Sequence, residues 1–222
     1  CNPALDLKPL ALDPGHCVVH RVAVIGGAAM AYTPDMLWTY SLDSTSPFKG
    51  QVEQRPIDPK TGKLGSAAQV FGFTPGTSAG SVYASWYLAL SPKGLAAVGY
   101  TEAKTLDGQI FWGDKGIKTP KQVDKARGNY DVVFLDDKTM LINGTGVGSA
   151  QSGQAVYLYR EGQTPRVLIK DMGVASGNLA LGQGVVFAGG SFSGYKSKLY
   201  GFSLAEVKAA ISGSTTLSSA AD

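Results

Sequence analysis

Apolar and β-branched residues come in short runs along most of the chain, separated by clusters of Gly, Pro, Asn and Asp. The clearest runs span residues 18–25, 37–42, 82–90, 95–100, 132–135, 140–143, 155–159, 167–169 and 185–188. Short runs bounded by turn residues read as strands, so the chain is expected to be all-β. One stretch departs from this pattern. Ser203 precedes Leu204, Val207 and Ile211 at helical spacing, Glu206 stands three residues after it, and Gly213 follows. That combination predicts a capped helix over residues 203–211.

The runs repeat. Leu90, Leu135 and Leu181 each close a strand before a tight turn, 45 and then 46 residues apart. The strands Ile110-Phe111-Trp112, Val156-Tyr157-Leu158 and Leu199-Tyr200-Gly201 begin 46 and then 43 residues apart. Two independent markers holding a period near 45 fit one four-stranded antiparallel blade of a β-propeller. Unit two then spans residues 82–124, unit three 130–172, and unit four starts at Asn178. Unit one is less regular, with residues 22–25 and 37–42 matching second and third strands. It carries Ile57-Asp58-Pro59-Lys60-Thr61-Gly62-Lys63-Leu64. This segment resembles the Asp-Pro turn of extracellular, lactonase-like propellers, and Asp-Pro and Thr-Gly both favour turns. The helix likewise resembles one that some propellers place after a blade's third strand.

The period leaves a remainder. Unit four has no convincing last strand, because residues 215–222 are small and polar. An open propeller bares strand edges. Closure is therefore expected from residues 18–25 pairing with unit four, or from a second chain or further residues that complete the ring.

With 44% apolar and 17% charged residues, the chain is globular, and its 29 glycines suit many turns. The net charge of +3 is spread thinly. The densest basic stretch, residues 115–127, is interrupted by Pro120 and Asp124 and gives no nucleic-acid footprint. The longest weakly polar run, residues 22–32, is about half of what a spanning helix needs.

The chain starts Cys1-Asn2-Pro3-Ala4 and continues in a weakly patterned stretch to Gly15. This start resembles a mature bacterial lipoprotein, in which the first cysteine carries lipid after the signal peptide is removed. The resemblance implies a lipid anchor on Cys1, a tether over residues 1–15 and a β-propeller domain over residues 16–222. Asn2 resembles outer-membrane members of that class, which implies an envelope location on the periplasmic or surface side. A Cys1–Cys17 disulfide and an N-terminal nucleophile remain alternatives.

Candidate chemistry is sparse. His16 and His20 flank Cys17, but strand spacing separates the two histidines by about 13 Å, too far for one ion. Asp136-Asp137 precedes Lys138 as ordinary turn chemistry. Gly144-Thr145-Gly146-Val147-Gly148 has no phosphate-loop lysine. No catalytic residue, metal or cofactor is assigned. Loops between second and third strands gather at a propeller's channel mouth. They are read as residues 26–35, 102–107, 144–153 and 189–196, and give a candidate ligand-binding face of Met30, Tyr32, Glu102, Lys104, Phe192, Tyr195 and Lys196. Aromatics among Gly and Ser suit adaptable contacts. The expected function is a scaffold binding a protein or polymer partner. A metal-assisted, lactonase-like hydrolase is the alternative.

Overall fold

The computed structural model describes residues 28–43, 49–73, 82–93, 96–102, 107–113, 121–127, 131–150, 153–173, 178–192 and 196–219. Four sheets follow one another along the chain, each an antiparallel meander. The first is β1 (Ala28–Thr33), β2 (Met36–Asp43), β3 (Lys49–Pro56) and β4 (Ala68–Phe73). The second is β5 (Val82–Leu90), β6 (Ala96–Glu102), β7 (Asp107–Gly113) and β8 (Lys121–Arg127). The third is β9 (Asp131–Asp136), β10 (Thr139–Gly144), β11 (Ala155–Arg160) and β12 (Arg166–Lys170). The fourth holds β13 (Leu179–Gly182), β14 (Val185–Phe192) and β15 (Lys196–Ser203). Helix α1 (Leu204–Ser212) follows, and β16 (Leu217–Ser218) returns to lie parallel to β12.

The first strands β1, β5, β9 and β13 are successive neighbours, so the sheets stand side by side about one line. Their packing follows from the two-residue period of a strand. In the third sheet, Val132, Phe134, Met140, Ile142, Ala155 and Tyr157 point back to Ile110, Trp112 and Val123 of the second. The alternate residues Leu141, Val156 and Leu158 point forward to Leu179, Val186 and Ala188 of the fourth sheet and to Val207, Ala210 and Ile211 of α1. Burial on both faces explains why these strands read as continuous apolar runs. Each large side chain fully removed from water contributes roughly 1.5–3 kcal/mol.

Hydrogen bonds tie neighbouring sheets at positions about one repeat apart. Asp137, in the β9–β10 turn, accepts from the Ser91 hydroxyl at 2.7 Å and the Lys93 backbone N–H at 3.0 Å in the β5–β6 turn. The Ser91 bond, then the Lys93 backbone bond, holds the Asp137 carboxyl below its usual range. The Asn143 amide donates to the Gly189 carbonyl at 3.2 Å. The Leu179 N–H donates to Asp131 at 2.8 Å.

The third-strand markers fall in β7, β11 and β15 and keep their phase. Ile110 and Trp112 face the third sheet, Val156 and Leu158 face the fourth, and Leu199 and Gly201 face outward. The leucine marker needs a correction. Leu90, Leu135 and Leu181 all lie near the end of a first strand. Leu135, however, packs forward towards the fourth sheet, whereas Leu181 sits opposite Val186 and so faces back. Phe134, not Leu135, shares its side with Leu181, because a register shift between Thr139 and Met140 places Phe134 opposite Met140 and leaves Leu135 unpaired in the bulge, whereas β13 pairs with β14 without a shift.

The segment 57–64 forms the β3–β4 turn, closed by an Ile57–Leu64 bridge. Asp58 accepts from the Lys60 N–H at 2.8 Å and the Thr61 hydroxyl at 2.8 Å. Gly62 takes the left-handed φ of 67° that the turn requires. The helix forms as its sequence dictates. Ser203 accepts from the Glu206 N–H at 3.1 Å, and the Glu206 carboxylate accepts from the Ser203 N–H at 3.1 Å. Arg166, on β12, donates to the Ala210 carbonyl at 2.9 Å and the Thr215 carbonyl at 2.7 Å. Its positive charge supplies what the last turn of α1 lacks, since no basic residue lies there.

Unit four therefore has no fourth strand beside β15 among the described residues. The tail runs instead to β12, where Ser219 donates through its backbone N–H to the Lys170 carbonyl at 3.3 Å. Residues 1–27, including Cys1, Cys17, both histidines and the 18–25 run, lie outside the described residues.

Candidate binding site

The loops between second and third strands are where the sequence placed a ligand face. Glu102 ends β6 and precedes the β6–β7 loop. Phe192 ends β14 and Lys196 begins β15, on either side of the β14–β15 loop. Lys104 and Tyr195 lie outside the described residues. The loop assigned to residues 26–35 is corrected. Met30 and Tyr32 belong to β1, the first strand of its sheet, where they pair with Thr39 and Leu37. Pro34 and Asp35 alone make the turn to β2, and the Thr33 hydroxyl donates to Asp35 at 2.7 Å. Gly26-Gly27 and Pro34-Asp35 look in sequence like the two ends of one loop, but the six residues between them take up the sheet register. The true β2–β3 connection, 44–48, lies outside the described residues. Tyr32 is nonetheless 78% exposed.

The 144–153 segment does join β10 to β11. Within it, Val147 and Ala150 close a small bridge. At its base the Gln154 amide donates to the buried Asn143 side chain, and the Tyr157 hydroxyl donates to the Gly153 carbonyl at 2.6 Å. These bonds fix the loop's stem on the third sheet.

The most distinctive surface is the outward face of the fourth sheet. Directly opposite residues of an antiparallel pair share a side. The pairs Ala180–Phe187, Gly182–Val185, Phe187–Gly201 and Gly189–Leu199 therefore lie on one face. Leu199 is 72% exposed and Phe187 38% exposed. A Cβ on Gly201 would meet Val185 at 3.4 Å and the Phe187 ring at 3.6 Å, ordinary contact distances on this apolar face. None of these positions carries a charge. The corresponding residues of the third sheet, Val156 and Leu158, are buried by the fourth. Among the described residues nothing covers Leu199.

Electrostatics single out Asp131, at the start of β9. Burial raises its carboxyl pKa above the usual 3.8, opposed by the Leu179 and Val132 N–H groups that donate to it. Below the unfolded value both states are protonated and carry no penalty. Between that value and the raised one, the unfolded chain ionises while the folded chain keeps its proton, so stability falls as pH rises. Above the raised value it levels off. From pH 3 to 7 the urea midpoint of the native chain should fall relative to that of Asp131→Asn as pH rises across that window. A constant difference would contradict this.

Among the described residues, no group of three or more His, Cys, Asp or Glu side chains comes together, and no helix is long and apolar enough to cross a membrane.

No family model matches the chain, and no curated protein does. Solved structures do. TolB from Acinetobacter baumannii matches with a TM-score of 0.54 at 14% identity, over 81% of this chain and 41% of that one. A DUF4623 family protein from Bacteroides eggerthii matches at 0.47 and 10% identity, over 78% and 41%. The β-propeller domain of the Trilobed protease from Pyrococcus furiosus matches at 0.37 and 9% identity, over 81% and 69%. The fold is of the β-propeller type. The chain spans less than half the length of the first two structures it matches.

Proposed function

We propose that this chain is a binding scaffold of the bacterial cell envelope, held by lipid on Cys1, whose propeller-type stack docks another protein surface. The observation that carries the reading is the outward face of the fourth sheet. It is apolar, uncharged and uncovered among the described residues, and exposed apolar faces of this kind mark association sites. Its occupant is a second copy of the chain, fourth sheet against fourth sheet. In a two-fold contact every side chain on the axis meets its own image. A charge there would meet a like charge, and this face has none. Leu199 projects beside Gly189, and Gly182 leaves low ground at the far edge, so protruding and recessed positions alternate as a self-complementary surface requires. Glu102, Phe192 and Lys196, at strand ends beside second-to-third-strand loops, are proposed to contact a protein or polymer ligand.

Two experiments test the reading separately. The size of the chain in solution tests the face. Intact mass and fractionation test the anchor: protein extracted from membranes should carry acyl mass on Cys1, and Cys1→Ser should move it to the soluble fraction. An unmodified Cys1 in the membrane fraction would remove the anchor.

A further inference from the structure

A cleft of about 320 Å³ opens between the β11–β12 turn and the end of α1. Among its lining residues are Arg160, Gln163, Thr164, Arg166, Ser212 and Ser214. We propose that this cleft binds a phosphoryl group, as inorganic phosphate or a phosphate monoester.

The argument starts with Arg160, the last residue of β11. Its Nε makes a long hydrogen bond, 3.5 Å, to the Thr139 hydroxyl. Its two terminal nitrogens have no acceptor among the described residues. A guanidinium presents its terminal nitrogens as a planar fork, the geometry that pairs with two oxygens of an oxyanion. Helix ends normally repel anions at their C-terminus. Here Arg166 donates to the Ala210 and Thr215 carbonyls and offsets the partial negative charge of α1.

The neighbouring carboxylates are turned to other partners. Glu161 pairs with Lys121, and Asp136 accepts from the Lys138 N–H at 2.8 Å. Both line a separate cleft that Arg160 and Gln163 also reach, and neither lines this one. The hydroxyls of Thr164, Ser212 and Ser214 and the amide of Gln163 add donors to the arginine fork. A carboxylate offers two oxygens, fewer than this donor set can serve. A phosphoryl group offers three or four, so it is the better match. The site depends on α1, which among the described residues follows the fourth sheet alone.

The test titrates the soluble Cys1→Ser chain with inorganic phosphate at constant ionic strength, following backbone amide shifts of Thr164, Ser212 and Ser214 by NMR. Saturable shifts at these residues are expected, with acetate at least tenfold weaker. Arg160→Gln should weaken phosphate at least tenfold while thermal unfolding stays near that of the parent, because it removes only one long hydrogen bond. Should Arg160→Gln unfold, Ser212→Ala serves instead and should weaken phosphate severalfold. Unsaturable shifts, an equal response to acetate, or phosphate affinity unchanged in the variant that folds would each overturn the assignment. Loss of self-association through the fourth sheet would leave this result unaffected.

Discussion

Gly190→Ala should destabilise the protein by about 3 kcal/mol, the upper end of the usual cost of overpacking. Gly190 lies in β14, and a Cβ there would collide with the Met172 carbonyl oxygen and stand 3.5 Å from the Tyr200 ring. The obstacle is backbone, which cannot rotate away as a flexible side chain could. Met172 is buried among the residues joining the third sheet to the fourth, so relief requires those two sheets to separate. For a chain of this size the loss corresponds to a fall in melting temperature of roughly 6–12 °C. Gly182→Ala is the internal control. It changes the same residue type in the same sheet, and a Cβ there meets nothing within 4 Å. Its melting temperature should stay close to the parent, as surface changes of that kind usually do. A Gly190→Ala protein as stable as Gly182→Ala would mean that the third and fourth sheets do not approach as described.

Much of this architecture is legible in sequence because blades repeat the same physical demand. Each third strand presents two faces, so Phe111, Tyr157 and Tyr200 recur near one period. The helix is legible for a different reason: a capping box is local, and Ser203 and Glu206 suffice to announce it. Contacts that join distant residues through the main chain leave no such pattern. Asp131 holds the backbone N–H of Leu179, which any residue could offer. Leu217–Ser218 pairs with β12 through two residues, too short for alternation to register, so a polar tail gave no hint of a strand. The first sheet misled because glycines before β1 and proline after it suggested a loop around Met30 and Tyr32. The outward face of the fourth sheet was half visible. Val185-Val186-Phe187 reads as an apolar run, but only pairing reveals that Val186 is buried while Phe187 faces out. The cleft at Arg160 was invisible, since β11, the turn after it and α1 meet only in the folded chain.

Sedimentation velocity of the Cys1→Ser chain and its Leu199→Glu variant bears most directly on the proposed role of the fourth sheet. The Cys1→Ser background removes any association through an acyl chain. At tens of micromolar the parent should sediment as a dimer of the 23.1 kDa chain. Leu199 is 72% exposed, so a glutamate there costs the monomer little. Across a two-fold contact it would set a buried carboxylate near its own copy, and unpaired buried charge is strongly unfavourable. Leu199→Glu should therefore sediment as a folded monomer, with the dimer weakened at least a hundredfold. A parent chain that is monomeric at these concentrations, or a Leu199→Glu variant that dimerises as well as the parent, would contradict the fourth sheet as the docking face.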